Sequence, residues 1–134
     1  MNLKALHQLL PEIELSGIEI NKKAHDQLIH FKVDYQRELS LIKGVFIHIN
    51  PDELQDVYQK LYEASSKYIV IAKYYNPTPV ELSYRGHSGK LFKRDFADEF
   101  LKKFQGVRLL NYGFAYHGDY LFPQDDITWF LLKK

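Results

Sequence analysis

The sequence predicts an α/β domain built on a mainly parallel sheet, and three observations predict it. Short apolar, β-branched runs alternate along the chain with amphipathic helical stripes. The run YIVIAKY (68 to 74) has a continuous Ile-Val-Ile-Ala centre, the pattern of a strand covered on both faces. The last two strand candidates follow one another without a helix between them, which makes them an expected antiparallel pair closing the sheet.

Taken in order, Asn2 to Leu10 reads as a helix with Leu3, Leu6 and Leu10 on one face and Pro11 stopping it. Leu15 to Ile20 reads as a short strand, and Lys22 to Phe31 as a weaker helix carrying Ala24, Leu28 and Phe31. Leu39 to Ile49 is apolar and β-branched, a strand running into a turn. Asn50 is then placed as N-cap, Pro51 at the first helical position and Glu53 as the far member of an N-x-x-E capping box. Behind them Leu54, Val57, Tyr58, Leu61 and Tyr62 form an apolar stripe. Tyr75 to Lys93 has no clear periodicity and reads as a long loop, of a length that is usually functional or disordered. Asp95 caps a further helix with Ala97, Phe100, Leu101 and Phe104 inward, ended by Gly106. Val107 to Tyr116 and Ile127 to Leu132 are the final strands.

Composition narrows the function. At 134 residues the chain is expected to form one domain over 1–134, with length enough for a real core. A net charge of +1 argues against a general nucleic-acid partner. The absence of cysteine excludes disulfides, thiol catalysis and thiolate zinc sites. No apolar run approaches the ~20 residues of a membrane span and the first residues do not resemble a signal peptide, so no membrane partner and a cytoplasmic location are expected.

Ligands of open α/β sheets bind beyond the carboxyl ends of the strands. That rule selects Glu19, His48 and Asn76. Glu19 can accept hydrogen bonds from both hydroxyls of a ribose, or be a solvated strand-end charge. His48 can act as a general base, because imidazole titrates near neutrality, or join the strand to the following helix. The remaining histidines show no metal-ligand spacing, so no metal site is expected. The loop carries Arg85, His87, Lys90, Lys93 and Arg94 with no acid between Glu81 and Asp95, and its glycines let main-chain amides approach a ligand. It is either a lid for a carboxylate or phosphate or a solvated basic segment. GHSGK is not a P-loop, since two residues rather than four separate Gly86 and Gly89.

Four blocks carry a resemblance: GIEINKKA (17 to 24), KGVFIHINPDEL (43 to 54), YYNPTPVELSYRGHSGKLFKRDFADEF (74 to 100) and FPQDDITWFLLKK (122 to 134). Through them the chain resembles the methyltransferase family associated with pseudaminic acid biosynthesis, within the class I S-adenosylmethionine-dependent methyltransferases. The resemblance implies a Rossmann-like methyltransferase sheet and methyl transfer to a sugar or sugar acid in surface-glycan synthesis. It implies S-adenosylmethionine as cofactor, with Gly17 and Glu19 on the cofactor and Glu19 on its ribose. The acceptor, an anionic sugar or nucleotide-sugar, would be met by Asn76, Arg85, Lys90 and Arg94, with His48 or His87 as catalytic base.

The sequence departs from that pattern in three places. It begins at Met1-Asn2-Leu3-Lys4, after the G-x-G-x-G turn that wraps the methionine end of the cofactor in this class. It is short between Leu28 and Tyr35, where His30 stands for an acidic adenine contact, and Lys73 replaces an expected acid. A truncated sheet is therefore expected, binding the cofactor weakly or not at all, with unpaired edges that invite a homodimer. A second reading stays open beside the enzyme: a non-catalytic remnant that binds a partner chain or an anionic carbohydrate through the basic loop 76–94.

Overall fold

The computed structural model describes residues 37–121 and 123–134. The helix expected over 2–10, the strand over 15–20 and the helix over 22–31 lie outside the described residues, as do Gly17 and Glu19.

Strand β1 (Arg37–Lys43) ends at Gly44, whose φ of +69° is left-handed and suits glycine. The expected strand to Ile49 therefore stops early. A 3₁₀ turn, Phe46–His48, takes its place and buries Phe46 and Ile47. Helix α1 (Leu54–Ala64) begins later than the capping signature implies. Asn50 Oδ1 accepts from the Asp52 amide at 3.1 Å, and the Glu53 amide donates to the Asn50 carbonyl at 2.9 Å. The side chain thus closes a local turn over residues 50–53 instead of capping the helix, and Glu53 completes no capping box.

Strand β2 (Ser65–Lys73) follows α1 directly. The segment expected as a loop is instead a hairpin of β3 (Val80–Tyr84) and β4 (His87–Lys93), paired antiparallel. Arg85 and Gly86 both have positive φ, +52° and +80°, the conformation of a two-residue hairpin turn. Gly89, at φ +68°, lies where the register slips, so a bulge breaks the alternation that would have marked β4 as a strand. Helix α2 (Phe96–Lys103) is capped as expected, with Asp95 Oδ1 accepting from the Asp98 amide at 3.0 Å. Asp98 and Glu99 stand in its first turn and Lys102 and Lys103 in its last, which matches the helix dipole. β5 (Arg108–Ala115) and β6 (Ile127–Lys133) complete the domain as the expected antiparallel pair.

The main sheet has the order β1-β2-β6-β5. β1 and β2 are parallel, while β6 is antiparallel to both β2 and β5. The sheet is therefore mixed, which corrects the mainly parallel expectation. β1, β2 and β5 run the same way, but β6 returns from β5 without a crossover helix and inserts, reversed, between β5 and β2.

One face of this sheet carries the core. Ile69 and Ile71 of β2 and Leu132 of β6 are fully buried against Leu54 and Tyr58 of α1 and Phe96 and Phe100 of α2. Phe46 joins the layers: its ring is edge-on to Tyr58 at 5.1 Å and stacked on Phe96 at 5.3 Å. Among the described residues no helix is long and apolar enough to cross a membrane.

Gly113 of β5 lies flat beneath the indole of its cross-strand partner Trp129. A Cβ there would stand 2.6 Å from Trp129 Cζ2. Gly113→Ala is expected to destabilise by about 1–3 kcal/mol, read from thermal denaturation. Gly106→Ala, where a Cβ meets nothing within 4 Å, is the control expected to leave stability within about 0.5 kcal/mol.

Candidate functional site

The carboxyl ends of β1 and β2, at Lys43 and Lys73, give rise to one edge of the domain, and two excursions border it. One is the β3–β4 hairpin. The other is the loop 116–126, which folds back over the strand ends: Lys43 Nζ lies 3.3 Å from Gln124 Oε1, and the Tyr74 hydroxyl donates to Asp125 Oδ2 at 3.1 Å. Burial and this carboxylate raise the Tyr74 phenol above its ordinary value.

His48 is exposed, and its Nδ1 lies 2.8 Å from the Lys90 carbonyl oxygen. A carbonyl only accepts, so Nδ1 is the donor of this bond. The ring also stands 5.4 Å from that of Tyr84, so His48 fastens the hairpin to the 3₁₀ turn. Arg85, His87 and Lys90 are exposed on the hairpin. The Arg85 guanidinium lies 5.3 Å from the Tyr84 ring, and His87 pairs with Tyr84 across the ladder. The acid of β3, Glu81, accepts from the Gly89 amide inside the hairpin.

Arg94 and Asn76 are set apart from this group. Arg94 Nε donates to Glu99 Oε1 at 2.6 Å, a half-buried ion pair that commits its guanidinium to α2. Asn76 donates its side-chain amide to the Thr78 carbonyl and hydroxyl and shapes the N-P-T-P turn.

Sequence reasoning missed the closest acid–base pair of this edge. His117 Nδ1 lies 2.9 Å from both oxygens of Asp126, and the His117 amide donates to Asp126 Oδ1 at 2.9 Å. The main-chain amide first, and the ring second, hold the Asp126 carboxyl below its usual range. The only available signal was a histidine and an aspartate flanking the turn between two strands, a spacing with no chemistry of its own. The carboxylate fixes the tautomer with Nε2 free and stabilises the imidazolium once formed, as in a general base. Of the three described histidines, only His117 has a carboxylate behind it.

Lys73, where an acid was expected, is buried at the end of β2. Its Nζ donates to the Arg94 carbonyl at 3.1 Å and sits 3.3 Å from the centroid of Phe96. A groove of about 240 Å³ at the foot of the hairpin is lined by Pro51, Pro79, Val80, Phe92 and Lys93 among others.

No family model matches the chain, and no curated protein matches it. Among solved structures, the chain is similar to a SAM-dependent methyltransferase of the DUF858 family from Leishmania major, at 14% identity and a TM-score of 0.48 over 73% of this chain and 39% of that one. It is also similar to the DhpI–SAH complex, at 10% identity and a TM-score of 0.40 over 76% of this chain and 50% of that one. The chain thus spans half or less of the length of these two structures.

Burial lowers the Lys73 pKa from 10.5 to about 7; Asp95 and Glu99 partly oppose the shift, and Arg94 adds to it. Between those values the unfolded chain binds a proton that the folded chain does not, so stability rises with pH across that window and is lowest below pH 7. Tyr58, whose pKa burial and then Glu99 raise above its ordinary 10.0, acts oppositely, removing stability above pH 10. Chemical denaturation from pH 7 to pH 10 is expected to show rising stability, and Lys73→Met to flatten that rise.

Proposed function

We propose that this chain carries the acceptor-binding half of an S-adenosylmethionine-dependent methyltransferase acting on an anionic sugar or nucleotide-sugar of surface-glycan synthesis. The observation that carries the reading is the reversed strand β6 inserted between β2 and β5, which run the same way. The four sequence blocks lead to a Rossmann-like sheet that ends in an antiparallel strand pair, and β5 and β6 form such a pair. The hairpin leaving the carboxyl end of β2 adds support, because it stands where acceptors of α/β sheets are met.

The described residues fit the cofactor in part. Gly44, at the carboxyl end of β1, has open space where a Cβ would stand, so a ligand can lie against bare main chain there. Gly17 and Glu19, which the resemblance assigns to the cofactor, lie outside the described residues. When bound, S-adenosylmethionine supplies a methyl group activated on sulfonium. The chain's own part is to hold the acceptor in line and to remove its proton. Arg85 and Lys90, exposed and free of carboxylate partners, orient the acceptor's carboxylate or phosphate. His117 Nε2 takes the hydroxyl proton with Asp126 stabilising the cation. His48 positions the hairpin through Lys90.

A thermal-shift titration with S-adenosylhomocysteine and with UDP-glucuronate, a nucleotide-linked sugar acid, tests the reading. Saturable rises with both support methyl transfer. A rise with the sugar alone supports carbohydrate binding without transfer. No rise with either, in a cooperatively melting protein, discards both. Two further outcomes are expected. The charge reversals Arg85→Glu and Lys90→Glu weaken UDP-glucuronate binding about tenfold or more each, measured by calorimetry. In a methyl-transfer assay His117→Gln lowers turnover by about 10²–10⁴ with acceptor affinity kept.

A further inference from the structure

The core face of the sheet extends beyond its helices. At β5 the register slips at Leu110, so Leu109 falls opposite Leu132 and Tyr112 opposite Phe130. This bulge keeps Leu109, Tyr112 and Phe114 on the face that buries Leu132. Yet the buried cluster that α1 and α2 share with β2 and β6 takes in no residue of β5: Leu109 is 43% exposed, Leu110 49%, Tyr112 65%, Phe114 61% and Tyr116 56%. Large side chains of a core face are rarely left in water.

β5 is also an edge of the described sheet. The Tyr112 amide donates to Asn111 Oδ1 at 2.8 Å, a local substitute for a ladder bond. By the alternation of a strand, the Phe114 amide faces the same open side. Natural edges are guarded by charge or proline. The opposite edge follows that rule, since β1 carries Glu38 and Lys43, and Glu38 pairs with Lys67 at 2.8 Å. β5 does not: after Arg108 its sequence is LLNYGFA, with neither charge nor proline.

We infer that β5 is a homodimer interface at which two copies pair β5 to β5 antiparallel about a two-fold axis. The occupant is a second copy because an uncharged strand edge beside an apolar row is complemented by another such edge, and the chain supplies one that complements itself. Its net charge of +1 sets little repulsion against it. The five exposed side chains offer on the order of 600 Å² per copy before main chain is counted, close to the ~800 Å² per partner of a standard interface.

The test is sedimentation of the intact chain over a concentration series, with amide hydrogen exchange on the same samples. The expected result is a monomer–dimer equilibrium, with the Tyr112 and Phe114 amides gaining protection as dimer forms. Phe114→Lys should be monomeric with a cooperative melt, and so should the milder Tyr112→Thr if the lysine variant fails to fold. A wild-type protein that stays monomeric to ~100 µM overturns the proposal. So does a dimer that both variants retain, or one whose Tyr112 and Phe114 amides exchange as in the monomer.

Discussion

Glu99 is the group through which the parts of this domain are joined. One carboxylate oxygen accepts from the Tyr58 hydroxyl of α1 at 2.9 Å, and the other from Arg94 Nε at 2.6 Å. Arg94 stands where the chain leaves β4 for α2, and its carbonyl receives Lys73 from the end of β2. Both helices, the central strand and the foot of the hairpin therefore share one network at the edge of the aromatic core. Two cations close together are tolerated because Asp95 and Glu99 face them and because burial lowers the pKa of Lys73.

This network also divides the hairpin into a fixed part and a presented part. β4 is held at Arg94 through Glu99 and Lys73, and again at Lys90 through His48. Beyond Lys90 the His48 ring also meets Tyr84, and Arg85 and His87 at the turn stay exposed. The basic character of the segment is thus split by function. Arg94 spends its charge on the scaffold, whereas Arg85 and Lys90 keep theirs for solvent or a ligand. Sequence shows five basic residues of equal standing, and only the folding of the chain ranks them.

What was legible in the sequence was local chemistry. Asp95 caps α2 because a carboxylate three residues before an amide needs nothing else. Asn50 misled because the same side chain closes a turn as readily as it caps a helix. The hairpin was hidden because Arg-Gly is not a favoured turn pair and the bulge at Gly89 removes the strand period. The antiparallel β5–β6 pair was legible, but the insertion of β6 between β2 and β5 was not, since it is decided by pairing between distant segments. The same holds for His117 and Asp126. Ala115 pairs with Ile127 at the end of the ladder, so the register of β5 on β6 is what brings the two residues together.

That register links the two surfaces of the domain. Tyr116 and His117 follow β5 without a break, and Asp126 immediately precedes β6. The dyad is therefore the closure of the β5–β6 pair rather than an ornament on a free loop. Tyr112 touches Phe130 across that pair at 6.5 Å, and Phe130 touches Tyr75 at 6.1 Å, so the aromatic row of β5 runs toward the carboxyl end of β2. Anything that orders β5 must order the start of loop 116–126, and with it the angle at which His117 meets its carboxylate. The binding proposed at the strand ends and the association proposed through the sheet edge draw on the same element. Two processes that stabilise one conformation of a shared element favour each other by the same free energy in both directions.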